Sequence, residues 1–159
     1  MKTSQEGVNL IKMFEGLHDG DLKAIGLQPK KCPAGIWTEG YGHAMRDSKG
    51  NFLKGDKAPK GTIKTEVEAE KLLSKDLDAV EAAVMRKIKV RLNQNQFDAQ
   101  VSHMFNTGGS GTMFKLINNN ASCDDIKKWF ENHYITADGV IKKGLINRRK
   151  AESNLYFKV

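Results

Sequence analysis

A glutamate closes one segment of this chain, and a cysteine, a threonine and a histidine open another. In "FEGLHDGDLKAIGLQPKKCPAGIWTEGYGH", Phe14 to His43, a turn-rich connection separates Glu15 from Cys32, Thr38 and His43. A carboxyl can give or take a proton, and a thiol or hydroxyl opposite it can hold or activate a water. Such groups do acid–base chemistry only when they face one another, so the two ends are expected to flank a cleft. Each group also has a plainer reading. Glu15 follows Ile11 by four residues and Val8 by seven, so it emerges among apolar neighbours, where a carboxylate is paired, at a lip of the core, or functional. Cys32 can serve as a small apolar filler. Thr38 is an ordinary strand residue, but beside Gly40 and Gly42, which allow close approach of a ligand, it reads as part of a site. His43 reads more readily as a structural donor. No H-E-x-x-H spacing occurs, and neither Asp19-Gly20-Asp21 nor Asp47 to Asn51 follows the calcium-loop pattern, so no metal or cofactor is expected.

The elements that position these groups are legible in the pattern. The first helix is expected from about Thr3 to Gly16, with Thr3 as N-cap, Glu6 as its capping-box partner and Gly16 as the stop. Val8, Leu10, Ile11 and Phe14 form its apolar face. Residues 17–61 read as irregular and extended, with a short hairpin in "GIWTEGYGH" and a turn at Ser48 to Asn51. A long helix follows, capped by Thr65 with Glu68 at N3, and Ala69, Leu72, Leu73, Leu77, Val80 and Val84 recur on it at helical spacing. Asn93 with Gln96 caps the next helix, which buries Phe97, Val101, Met104 and Phe105 and ends at Gly108 and Gly109. "TMFKLINN" is a short helix, and Ser122 caps another with Ile126, Trp129 and Phe130 inward. "TADGVIKKG" is a loop or small hairpin, and "LINRRKAESNLYF" is the last helix. The sum is α+β: one domain over 1–159, with a small sheet lobe at about 17–61 and a larger helical lobe from about 1–16 and 62–159. The long helix joins the lobes, and the cleft lies between them.

The chain has 159 residues and a formal net charge of +7, enough length for one core. No apolar run approaches the roughly 18 residues of a membrane span, and "MKTSQEGVNLIKMFEG" has no signal-peptide core. The expectation is a cytoplasmic chain without stable membrane insertion. The charge favours nucleic acid, anionic membranes or acidic wall polymer, or serves solubility alone. Its densest stretches, "KIKVR" (Lys87 to Arg91) and "NRRK" (Asn147 to Lys150), lack the interleaved aromatics of a base-stacking platform, which argues against nucleic acid. Cys32 and Cys123 form no CxxC pair and read as reduced.

Five segments, in order, resemble the phage-type lysozymes, or endolysins, of the glycoside hydrolase family 24 muramidases. They are "FEGL", "CPAGIWTEGYGH", "TEVEAEKLLSKDL", "LNQNQFDAQVSHMFNTGG" and "GLINRRKAESNLY". The resemblance covers nearly the whole chain. It implies a lysozyme-like fold and cleavage of the β-1,4 bond between N-acetylmuramic acid and N-acetylglucosamine in bacterial peptidoglycan, by an inverting general acid/base mechanism. It assigns the catalytic Glu to Glu15 and the following Asp/Cys and Thr to Cys32 and Thr38, which keep the family's five intervening residues. Arg148, His43 and Asp21 are possible supporting residues, with Arg148 expected to reach Glu15. The family also implies a monomer, released to the wall by a holin. The gap of sixteen residues between Glu15 and Cys32 exceeds the family's. The insertion within "HDGDLKAIGLQPKK" is expected to loop out, and its Asp19 and Asp21 are rivals of Cys32 for the second role. A catalytically weak or inactive wall-binding module is the alternative reading.

Overall fold

The computed structural model describes residues 1–16, 29–32 and 34–159. Its elements run α1 (Gln5–Glu15), β1 (Lys30–Lys31), β2 (Trp37–Glu39), β3 (His43–Ala44), α2 (Glu66–Lys87), α3 (Gln94–Thr107), α4 (Gly111–Asn118), α5 (Cys123–Asn132), β4 (Thr136–Ala137), β5 (Val140–Ile141) and α6 (Lys143–Tyr156). Six helices and two small antiparallel sheets among the described residues make the α+β class. The chain divides into two units: Met1–Phe14 with Leu77–Val159, and Glu15–Asp76.

The first unit is helical. Its core gathers Ile11 of α1, Val84 of α2, Phe97 and Val101 of α3, Met113 and Ile117 of α4, Trp129 and Phe130 of α5, and Leu155 of α6. The caps read from local chemistry hold for α3 and α5. Asn93 and Gln96 exchange both capping-box bonds, and Ser122 accepts from the Asp125 N–H. Gly108 ends α3 at φ 77°, donating to Met104 O.

The cap of α1 differs from expectation by one residue. Ser4, not Thr3, receives the Gly7 N–H, at 3.3 Å. The reason is tertiary: Thr3 gives both its N–H and its hydroxyl to Glu81, at 2.8 Å each. Asp98 of α3 takes the Ser4 N–H at 3.0 Å and the Ser4 hydroxyl. Glu6 pairs not with Thr3 but with Lys158, at 2.6 Å.

The second unit holds the three-stranded sheet β1-β2-β3, with Lys30 opposite Thr38 and Glu39 opposite His43. The hairpin within "GIWTEGYGH" is therefore present. Beyond it, Arg46 bridges to Phe52 around a turn closed by Gly50 N–H to Asp47 O at 3.0 Å. One strand was not foreseen: Lys30 and Lys31, read as the tail of a looped insertion, form β1. Thr65 and Glu68 exchange the bonds expected at the start of α2, 3.2 Å each.

Gly7 is where packing and propensity disagree. A Cβ there would stand 2.8 Å from Asp98 Cβ and Cγ and 2.7 Å from Thr3 Cγ2. Alanine gains about 1 kcal/mol over glycine in a helix interior, whereas overpacking costs about 1–3 kcal/mol and a disturbed N-cap about 1 more. Gly7→Ala is expected to lower unfolding stability by about 1–3 kcal/mol, read from its urea midpoint. A stabilised variant would show that Asp98 can yield without loss.

Candidate active site

Glu15 is the last residue of α1 and is half-buried. The helix stops because Gly16 takes φ 63°, a left-handed conformation that glycine adopts without penalty. The carboxyl thus stands at a helix end, beside an exposed reversal of the backbone.

Cys32 and Thr38 come from the β1–β2 connection. Cys32 is half-buried with a free thiol. Its N–H donates to Ile36 O and its carbonyl accepts the Gly35 N–H, both at 2.8 Å, so it opens the tight turn that leads into β2. Thr38 lies within β2 and is only 4% exposed. Its hydroxyl donates to the Lys30 carbonyl at 2.9 Å. That bond commits the only hydroxyl hydrogen, so Thr38 Oγ1 is left as an acceptor. A water in contact with it must give it a hydrogen, which turns the water's own lone pairs elsewhere.

The rest of the hairpin is tied down by side chains. Trp37 Nε1 donates to Gly55 O at 3.0 Å. Glu39, buried in the strand, accepts the Thr62 N–H at 2.8 Å and the Thr62 hydroxyl at 2.5 Å. Tyr41 donates to Glu66 at 3.1 Å. His43 Nδ1 faces both oxygens of Asp76, at 2.8 and 3.0 Å. The last contact makes His43 a structural donor. Its hydrogen bond to Asp76 raises its pKa above the ordinary 6.5, partial burial opposes this, and the charges of Asp76 and Glu39 support it.

The sequence reading of Gly40 is corrected. It was expected to admit a ligand, but a Cβ there would meet Ile63 Cδ1 at 2.9 Å and Ala69 Cβ at 3.6 Å. The missing side chain makes room for the start of α2, and φ 58° makes the turn.

Arg148 belongs to the helical unit and is almost fully buried. Its Nε donates to Glu152 Oε1 at 3.2 Å, and its Nη2 to Ser102 O at 3.4 Å. Its guanidinium carbon lies 5.7 Å from the centre of the Phe14 ring, one residue before Glu15. Arg149 Nε pairs with Glu152 Oε2 at 3.0 Å, and its Nη2 donates to Asn106 at 2.7 Å. The sequence reading singled out Arg148 and missed Glu152 and Arg149. Their i,i+4 and i,i+3 spacing in "NRRKAE" was the available signal.

The structure thus places Thr38 and His43 on one small sheet, Cys32 in the connection between its first two strands, Glu15 in the same unit, and Arg148 in the other. Asp19 and Asp21, the rivals of Cys32, lie outside the described residues with most of the insertion. Among the described residues no group of three or more His, Cys, Asp or Glu could hold a metal ion.

The His43–Asp76 pair has a defined pH signature. Because the folded-state pKa of His43 is raised, the pair's contribution is complete below about pH 6.5 while Asp76 stays ionised, and is lost as pH rises through the raised value. Unfolding free energies of the native protein and His43→Gln, compared from about pH 6 to about pH 9, should therefore converge. A gap that stays constant or widens would remove the imidazolium–carboxylate bond from the account.

The family model described as Phage lysozyme matches residues 20–152. An endolysin of Acyrthosiphon pisum secondary endosymbiont phage 1 is 34% identical, over 98% of this chain and 98% of its own length. The endolysin of Bacillus phage PZA is 32% identical over 98% of this chain, which spans 55% of that longer relative. Among solved structures, an endolysin from Escherichia coli O157:H7 phage FAHEc1 superposes with a TM-score of 0.72 at 32% identity, covering 99% of this chain and 94% of the other.

Proposed function

The chain belongs to the phage lysozyme family, and from that membership we propose how its site performs the reaction. It is a peptidoglycan muramidase with a lysozyme-like fold. The bond it opens is the β-1,4 link between N-acetylmuramic acid and N-acetylglucosamine. Protonated Glu15 gives its proton to the leaving glycosidic oxygen as the bond to the anomeric carbon breaks. A water attacks that carbon from the opposite face of the ring, and the product is inverted.

The hydrogen bond from Thr38 to the Lys30 carbonyl carries this reading. An Oγ1 that can only accept orients a water by one of its hydrogens and leaves a lone pair for attack, which is positioning rather than proton removal. Cys32, four residues before the Ile36 carbonyl that binds its N–H, is assigned the assisting role. Only a thiolate can accept the water's proton, and thiols are mostly protonated at neutral pH, so Thr38 holds the water and the thiolate form of Cys32 assists by taking its proton. Arg148, to which the family resemblance gives a supporting role, packs against Phe14 within the helical unit. By the same family reading the enzyme works as a monomer, waits in the cytoplasm of the producing cell and reaches the wall after a holin opens the way.

Glu15→Gln keeps the shape and removes the donor. General acid catalysis contributes roughly 10²–10⁴-fold, so wall lysis should fall by that factor while thermal unfolding stays unchanged. Mass analysis of digested peptidoglycan should show reducing ends on muramic acid. Substantial lysis by a folded Glu15→Gln protein rejects Glu15 as the acid.

The second assignment is tested by a set of variants assayed side by side. Cys32→Asp should keep much of the activity, since a carboxylate orients or deprotonates water at least as well, and Cys32→Ala should lose more. Thr38→Ser keeps the hydroxyl and should outperform Thr38→Ala. A fully active Cys32→Ala beside an inactive Asp19→Asn or Asp21→Asn would transfer the role to the insertion.

A further inference from the structure

The helical unit carries most of the chain's positive excess. It holds fifteen Lys and Arg against nine Asp and Glu. Several of those cations are already engaged. Lys2 meets Asp78 and Glu81, Lys158 meets Glu6, and Arg148 and Arg149 meet Glu152. A different group stands together without an acid. Arg86, Lys87, Lys89 and Arg91 fall within six residues at the end of α2. All four are exposed, and none forms an ion pair with a described residue. The carboxylate one turn earlier, Glu81, is buried against Thr3 and Lys2 and does not offset them.

Helix electrostatics account for only half of this group. Arg86 and Lys87 occupy the last turn of α2, where cations favour the helix dipole. Lys89 and Arg91 lie beyond the helix and gain nothing from it. Their backbone is nonetheless held in place. Asn118 donates to Lys87 O at 2.9 Å and accepts the Lys89 N–H at 2.7 Å, so the cations project from a pinned segment.

The same segment borders an apolar groove of about 410 Å³. Met1, Met85, Ile88, Val90, Leu92 and Phe97 line it with Arg91, and the Met1 ammonium donates to Met85 Sδ at 3.0 Å. Met85 is 47% exposed. A soluble polyanion would use the cations and leave this groove without a complement. A phospholipid supplies both chemistries at once, a phosphate for the cations and an acyl chain for the groove.

We propose that the end of α2 and the segment leading into α3, residues 85–92, dock on the surface of an anionic phospholipid bilayer. The occupant of the groove is one acyl chain, and the cations meet the headgroup phosphates. The contact is peripheral and reversible, and would keep the muramidase at the membrane that underlies its polymer. It is independent of the catalytic assignments, because none of these residues belongs to the candidate site.

The test uses the full chain with phosphatidylglycerol vesicles and, separately, phosphatidylcholine vesicles in a sedimentation assay. The native protein should bind the first and not the second, and binding should fall as salt rises, because exposed charges are screened over about 8 Å at physiological ionic strength. Replacing Arg86, Lys87, Lys89 and Arg91 by Gln should weaken binding roughly 100-fold or more, at about fivefold per cation near an anionic surface. Met85→Gln should weaken it with the charges intact. Both variants alter exposed positions, and unchanged thermal unfolding and wall lysis would confirm that they fold. No binding to phosphatidylglycerol, or undiminished binding by the four-Gln variant, overturns the proposal. Loss in the four-Gln variant with full retention in Met85→Gln, and complete competition by soluble polyphosphate, overturns it in favour of a soluble polyanion.

Discussion

A single buried carboxylate organises the helical unit. Glu152 is fully buried and lies between two guanidiniums, with Arg149 Nε 3.0 Å from Oε2 and Arg148 Nε 3.2 Å from Oε1, while the Ser102 hydroxyl donates to Oε1 at 2.8 Å. Burial pushes the carboxyl pKa up and the Arg149 guanidinium down, and the attraction between them opposes both shifts. Such a cluster adds little net stability compared with a well-packed apolar core, yet removing one member strands the others and costs about 3–5 kcal/mol. Its main effect is on register. Ser102 and Asn106 of α3 meet Arg148, Arg149 and Glu152 of α6 in one arrangement only, because a shift of either helix leaves a charge without a partner. Arg148, fixed this way, packs against Phe14, so the end of α1 inherits its position from a charge cluster far away in sequence.

His103 shows what the cluster excludes. Its ring meets Trp129, Phe130 and Tyr134 edge-on, at 5.3, 5.8 and 5.4 Å. Burial, and then the charges of Arg149 and Arg148, push its pKa down to about 3. A third cation beside two guanidiniums has no acid to answer it, so the imidazole stays neutral and serves as an aromatic. His43 presents the opposite case on the same residue type. There Asp76 lies at hydrogen-bond distance with no guanidinium in the pair, and the pKa rises. Burial dominates at His103 and the hydrogen bond to Asp76 dominates at His43, so the two rings take opposite roles.

Features decided within a few residues were legible in the sequence. The caps at Thr65, Asn93 and Ser122, the stop at Gly108 and the hairpin of "GIWTEGYGH" all rest on local chemistry. Features decided by distant partners were not. Thr3 and Ser4 are equally able to cap a helix, and the choice falls to Glu81 and Asp98, both more than seventy residues away. Two lysines in a row give no strand alternation, and β1 exists because β2 offers Lys30 and Lys31 a register. The carboxylate of Glu39 is buried only because Thr62 supplies two donors to it. In the site, the residue types at 15, 32 and 38 were readable. The direction in which the Thr38 hydroxyl donates was not, since Lys30 becomes its neighbour only in the folded sheet.

The ties of the hairpin explain why Thr38 can be held accurately on so small a sheet. Two-residue strands such as β1 and β3 contribute few ladder bonds and are weak on their own. Every second residue from Trp37 to His43 compensates with a side-chain bond, and the partners advance along the chain in order: Gly55, Thr62, Glu66 and Asp76. The hairpin is thereby fastened along the loop before α2 and onto α2 itself, at successive points. Thr38 sits between the first two of these anchors, Trp37 and Glu39, and on a strand its side chain points to the opposite face from theirs. The anchoring bonds therefore fix the backbone without using the face that Thr38 occupies. The one bond its hydroxyl makes, sideways to Lys30, sets its orientation and leaves its oxygen able to accept.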